Sequence, residues 1–137
     1  MTSENDVNVI FFTSISYATS LKGANKIKVK DLKAYHVLLL TGIANPKPML
    51  NFLREKEIRF THLKYSDHHH FSEQEIKEIQ DTFDAIDYQE KLILTTEKDY
   101  MRLHSRLKQV SYLPIVTHFI ANQLDFDNML IDYVKQE

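Results

Sequence analysis

The sequence predicts an α/β layered domain whose mostly parallel sheet has about four strands alternating with helices, plus an N-terminal linker strand. Three observations carry that expectation. Val37–Leu40 and Leu92–Leu94 are continuous apolar runs, the pattern of strands buried on both faces of a parallel sheet. Ser72 and Glu75 form a capping box ahead of Ile76, Ile79, Phe83 and Ile86, which recur at helical spacing. Strand-like and helix-like segments then alternate along the chain, joined by the short connections that right-handed crossovers use.

Taken in order, Val7–Tyr17 is rich in Val, Ile, Phe and Thr and reads as a strand. Residues 18–33 hold Ser, Gly, Asn and several lysines, and read as an exposed connection with one short strand at Ile27–Val29. These first 33 residues form one expected segment, and 34–137 the α/β domain proper. After the Val37–Leu40 strand, Asn45 is suited to cap a helix with Pro46 at its first position, where a missing N–H costs nothing. Met49, Leu50 and Leu53 would supply the inner face of that helix. Arg59–Tyr65 alternates as a strand. The capped helix from Ser72 follows, then the Leu92–Leu94 strand. Thr96 and Asp99 give a second capping signature, with Tyr100, Leu103, His104 and Leu107 along one helix face. Tyr112–Ile120 reads as the fourth strand, and Phe126, Met129, Leu130, Tyr133 and Val134 mark a final helix.

Composition narrows the function classes. A chain of 137 residues can bury roughly two-thirds of the surface its unfolded form exposes. A net charge of -2, with no basic run, gives no electrostatic reason to expect nucleic acid. Cysteine is absent, which removes disulfide and thiolate chemistry and suits a cytoplasmic protein. The longest apolar run is far too short to span a bilayer, and the polar opening Met1-Thr2-Ser3-Glu4-Asn5-Asp6 does not read as a signal peptide. With Gly23 and Gly42 as its only glycines, the chain holds no glycine-rich phosphate loop.

Three short stretches fall where a strand should end and a helix begin, the edge at which such sheets bind ligands. In Thr41-Gly42-Ile43-Ala44-Asn45-Pro46, Gly42 permits a tight turn and Asn45 caps; alternatively, backbone N–H groups at the helix start face an anion. In Asp67-His68-His69-His70-Phe71, the carboxylate could begin a turn, or could bond one imidazole nitrogen and leave the other free as a base. Neighbours on an extended segment point opposite ways, so one of His68 and His69 would work while the other packs. In Thr95-Thr96-Glu97-Lys98-Asp99, a strand end plus a cap explains most residues, and Glu97 and Asp99 suit the helix dipole. Lys98 does not, which marks it for a partner or ligand. His36, His62, His104 and His118 lack matching acidic neighbours, and packing or solvent exposure accounts for them.

With GIANP, DHHHF and TTEKD in this order and spacing, the chain resembles the C-terminal part of the tetraacyldisaccharide 4'-kinase family, the lipid A pathway kinases of Gram-negative bacteria. The resemblance runs from about Val9 onward. Gly42, Ile43, Asn45 and Pro46 match the family's G-I-G-N-P, with Ala44 departing from it; Asp67, His68 and His69 match D-H-H, with His70 an added imidazole. It implies transfer of the ATP γ-phosphoryl group to the 4'-hydroxyl of a disaccharide lipid. ATP and Mg²⁺ would be held by an N-terminal P-loop domain that this chain lacks, and no cofactor is expected on the chain alone. A histidine of the C-terminal domain pairs, in the family, with an aspartate of the P-loop domain. His68 is the first candidate, with His69 second and Asp67 beside them. Gly42, Asn45, Thr96, Glu97, Lys98 and Asp99 would line the substrate or nucleotide cleft, and no residue is assigned to a metal. The complete enzyme would work at the cytoplasmic face of the inner membrane, touching it only through the absent N-terminal part, and the isolated chain would be inactive. Two other readings stand beside this one. One is a metal-dependent phosphoesterase built on Asp67-His68-His69, which would need further aspartates on earlier strands. The other is a non-catalytic α/β binding module in which all three stretches serve as caps.

Overall fold

A computed structural model describes residues 11–121, with side chains from 16 to 116. The expected C-terminal helix, and the expected first strand up to residue 10, lie outside the described residues, as do the side chains of Phe11, Phe12, His118 and Phe119. The described residues divide into two compact units, the larger being Ala18–Pro114.

The larger unit is the α/β domain. Its sheet contains β2 (Lys22–Gly23), β3 (His36–Thr41), β4 (Arg59–Lys64), β5 (Lys91–Thr96) and β6 (Val110–Leu113), in the spatial order β2-β6-β5-β3-β4. β3 runs parallel to both β4 and β5, and β5 runs parallel to β6; β2 alone is antiparallel, at the edge. Three helices connect the parallel strands: α1 (Lys47–Glu55), α2 (Glu73–Ala85) and α3 (Glu97–Leu103). From β3 the chain steps outward to β4, then crosses back over β3 to β5 and continues to β6. Right-handed crossovers therefore place α1 on one face and α2 with α3 on the other. The packing agrees, because Leu38, Leu40, Ile93 and Val110 join Ile79 and Phe83 of α2 and Leu103 of α3 in one buried cluster.

Val37, Leu39, Leu92 and Leu94 alternate with those residues and are buried too, which is why the strands read as unbroken apolar runs. Such a strand tolerates truncation poorly: Leu→Ala at a fully buried position costs about 2–5 kcal/mol.

Local chemistry explains where the helices start and stop. Ser72 Oγ accepts from the Glu75 N–H at 3.1 Å, while the Glu75 carboxylate accepts from the Ser72 N–H at 2.9 Å, completing the expected box. The C-terminus of α2 has no basic residue of its own, and Lys91 supplies one from β5, donating to the carbonyls of Phe83, Asp84 and Ile86. α1 ends in a Schellman turn: Glu57 N–H donates to Arg54 O, Ile58 N–H to Leu53 O, and Glu57 adopts φ 59°. Buried Ile58 and Leu53 are the apolar pair that accompanies such a turn.

Five local expectations differ from what is found, the first being that α3 ends at Leu103, so that buried Leu107 lies past the helix rather than on its face. α1 begins one residue late, with Pro46 at the cap position; Asn45 Oδ1 instead accepts from the Lys47 N–H at 3.2 Å. Pro48 is the second helical residue and has no N–H to satisfy, so the entry needs less capping than the Asn45 reading supposed. The predicted fourth strand, Tyr112–Ile120, is split by Pro114, which has no N–H for a ladder, into β6 and a separate β7 (Ile115–Ala121). Residues 27–29 make only a bridge between Ser20 and Lys28, followed by a 3₁₀ helix, Val29–Ala34. Finally, the lysine-rich stretch before β3 is not wholly exposed. Leu21, Val29 and Leu32 are buried, because apolar residues among the lysines turn inward while the ammonium groups stay in solvent.

In the smaller unit, β1 (Phe11–Tyr17) pairs antiparallel with β7, from Phe11 opposite Ala121 to Tyr17 opposite Ile115.

Candidate functional site

β3 feeds a neighbour on one side and β5 feeds a neighbour on the other, so their outgoing loops diverge. This is the topological switch point of the sheet, where a crevice opens beyond the carboxyl ends of the strands. The Gly42 turn leaves β3 there, the Thr96–Asp99 turn leaves β5, and the Asp67–His70 loop follows adjacent β4.

Asp99 joins the first two. It is completely buried, and its Oδ2 accepts from the Gly42 N–H at 2.8 Å and from the Thr96 hydroxyl at 2.8 Å. Thr96 Oγ1 in turn accepts from the Asp99 N–H at 3.0 Å, capping α3. In a complete capping box the third helical carboxylate would take the N–H of its own cap residue. Asp99 reaches across to β3's outgoing turn instead. Asp99 Oδ1 has no hydrogen-bond partner among the described residues; the Arg102 guanidinium lies 3.9 Å from it.

Gly42 is required for a different reason than a tight turn. A positive φ among the glycines is found at Gly23 only, whereas a Cβ on Gly42 would stand 3.1 Å from Asp99 Oδ1 and 3.4 Å from Ser66 O. The missing side chain admits the buried carboxylate.

The third loop is tied to the first through its backbone. Tyr65 N–H donates to Thr41 O at 2.7 Å, and His68 N–H to Gly42 O at 3.3 Å. Its imidazoles then part. The His69 Nε2 lies 2.9 Å from both Glu75 carboxylate oxygens, and its ring stacks on Tyr65 and meets Phe71 edge-on, each at 5.0 Å. A carboxylate only accepts, so His69 carries a hydrogen on Nε2 and is committed to the fold. The Glu75 carboxyl is held below the usual range, first by the Ser72 N–H and then by His69.

His68 is presented differently. Its backbone sits at φ 59°, a left-handed conformation uncommon for a residue with a side chain, and the ring is 68% exposed. Asp67 Oδ2 lies 3.6 Å from Nε2, and Arg102 Nη2 lies 3.4 Å from Nδ1. Asp67, His70, Asn45, Glu97 and Lys98 are exposed along the same edge, the last two on the first turn of α3.

Two residues that sequence reasoning passed over hold this loop. Arg102 donates to His69 O at 3.3 Å, and Arg106 donates to Phe71 O at 2.6 Å and to Glu73 at 2.7 Å. The one available signal for Arg102 was its spacing, a single turn beyond Asp99 on the same helix face. His62 also has a partner, its Nε2 lying 2.7 Å from the hydroxyl of buried Thr41. Burial, then the charges of Lys64 and Arg54, pushes its ring toward the neutral form.

Among the described residues, no group of three or more His, Asp or Glu could hold a metal ion, and no helix is long and apolar enough to cross a membrane.

Comparison with known proteins matches residues 2–135 to the family described as Tetraacyldisaccharide-1-P 4'-kinase. Among individual proteins, the chain is 38% identical over 130 residues to the Tetraacyldisaccharide 4'-kinase of Flavobacterium johnsoniae, covering 93% of this chain and 36% of that protein. It is 38% identical to the protein of the same name from Flavobacterium psychrophilum, covering 92% and 36%, and 38% identical to that of Bacteroides thetaiotaomicron, covering 82% and 32%. The chain thus spans about a third of the length of the curated relatives it matches. No solved structure matches it.

Proposed function

The chain belongs to the tetraacyldisaccharide-1-P 4'-kinase family, and we propose that it is the C-terminal domain of such a kinase, acting in lipid A biosynthesis. The complete enzyme would move the γ-phosphoryl group of ATP onto the 4'-hydroxyl of a tetraacyldisaccharide 1-phosphate. One observation carries the placement of the site. Three motif loops from separate parts of the sequence converge on the switch-point edge of one sheet, bonded to each other through Gly42.

Within that edge, His68 is the residue proposed to act. Its ring is exposed while the neighbouring His69 is fully engaged by Glu75, Tyr65 and Phe71. A ring nitrogen of His68 would hydrogen-bond a carboxylate that orients the attacking sugar hydroxyl. That role suits phosphoryl transfer, which depends mainly on positioning and charge stabilisation. Asn45, Glu97 and Lys98 would border the cleft, with Gly42, Thr96 and Asp99 as its buried framework.

The described residues fit neither ATP nor Mg²⁺ as a resident group. The sequence has no glycine-rich phosphate loop, and among the described residues no group of three or more His, Asp or Glu could hold a metal ion. ATP and Mg²⁺ are therefore assigned to the part of the kinase that lies beyond this chain, together with membrane contact at the cytoplasmic face. The chain alone is proposed to be inactive.

The test is 4'-phosphorylation by a two-domain enzyme carrying His68→Ala. Turnover falls on the order of 10²-fold or more, as for loss of a group that orients the nucleophile, with unchanged thermal stability. Undiminished turnover sinks the assignment.

A further inference from the structure

Arg102 touches the histidine loop directly and lies beside Asp99 of the Thr96–Asp99 turn. Its guanidinium is 3.3 Å from His69 O, 3.4 Å from His68 Nδ1 and 3.9 Å from Asp99 Oδ1, and the side chain is 28% exposed. Asp99 in turn holds the Gly42 turn. A guanidinium only donates, so the His68 nitrogen facing it must offer a lone pair. In the neutral ring the hydrogen is then on Nε2, the nitrogen nearer Asp67. His68 also occupies a strained left-handed backbone conformation, which persists only where surrounding contacts over-determine it.

We propose that Arg102 is a positioning residue that clamps the His68–His69 backbone to α3 and fixes the neutral His68 ring with its hydrogen on Nε2. The ring is thereby presented as a hydrogen-bond donor through Nε2, the nitrogen for the carboxylate that the proposed function pairs with it. The inference rests on the reading of His68 given above for its role in turnover, but its structural half stands on the contacts alone. Lysine at this position could reach one of the contacts but not the fork of contacts that a planar guanidinium spans.

The structural half is tested on this chain by long-range ¹H–¹⁵N correlation of its imidazoles at a pH where they are neutral. His68 shows the pattern of a ring protonated on Nε2. Arg102→Leu moves that pattern toward a mixture of the two tautomers, and Arg102→Lys moves it less. His69, held by Glu75, keeps its own Nε2–H pattern in every variant and reports that the loop remains folded. Should Arg102→Leu disrupt the fold, the unmodified chain still decides, because an Nδ1–H pattern for His68 there overturns the proposal. So does an unchanged His68 pattern in a folded Arg102→Leu chain.

The functional half is tested in a two-domain enzyme. Arg102→Leu lowers kcat on the order of 10²-fold while leaving KM for ATP unchanged, and Arg102→Lys restores part of it. Undiminished kcat in Arg102→Leu, where His68→Ala is inactive, refutes the positioning role. Undiminished kcat in His68→Ala refutes the reading of His68 itself, and the imidazole spectra distinguish the two failures.

Discussion

Asp99→Ala is the substitution that best probes how the site is held together. The carboxylate accepts from the Gly42 N–H and the Thr96 hydroxyl, both at 2.8 Å, with no solvent access. Removing it strands the Gly42 N–H, a backbone group with nowhere else to turn, at a cost of about 1–3 kcal/mol. The Thr96 hydroxyl can rotate and still accepts from the residue-99 N–H, so its loss falls at the low end of the range for a bond to a charged group, about 1.5 kcal/mol. Part of this is offset because the buried, unpartnered Oδ1 disappears as well. The net expectation is about 2–4 kcal/mol, which for a domain of this size lowers Tm on the order of 10–20 °C. Asp99→Asn keeps an acceptor toward Gly42 and Thr96, and loses only about 1 kcal/mol. Urea unfolding followed by circular dichroism, with the m-value checked for constancy, measures both. A companion variant makes the argument stricter. Gly42→Ala costs about 1–2 kcal/mol through its 3.1 Å approach to Oδ1, and most of that vanishes in an Asp99→Ala background. Asp99→Ala within about 0.5 kcal/mol of the parent chain, or additive costs in the double variant, would refute the reasoning.

Glu57→Gly stabilises the chain by roughly 0.5–1 kcal/mol in the same assay, since glycine adopts without strain the φ of 59° that ends α1. Stability also declines in mild acid. Burial, with Arg59 for His36 and with Lys64 and Arg54 for His62, depresses both imidazoles in the folded chain, so the unfolded chain takes up protons first. The stability is complete above the ordinary imidazole value and is lost as pH falls below it, toward the depressed folded values. Lower still, Glu75 behaves alike, its stabilisation being lost as pH falls below the ordinary carboxyl range. Urea midpoints between about pH 8 and about pH 2 trace both limbs, and His36→Asn with His62→Asn flattens the upper one while sparing the lower; an unflattened upper limb contradicts the assignment.

The sequence by itself determined the layered α/β class, the alternation of strands and helices, and the three stretches that lie at strand ends. Those features depend on neighbours within one turn or one strand, and so are written in short spacings. Ser72 and Glu75 show the limit of that legibility at its best, a box read from four residues and found closed. Thr96 and Asp99 carry the same spacing, yet Asp99 turns away from its own cap and binds Gly42, 57 positions earlier. Nothing local announces that choice, because it exists only where β5 lies beside β3. The split of the fourth strand at Pro114, the burial among the lysines before β3, and the clamp of Arg102 on the histidine loop were decided in the same way. Each depends on which segments become neighbours in space, and adjacency of strands is a property of the packed sheet rather than of any stretch of chain.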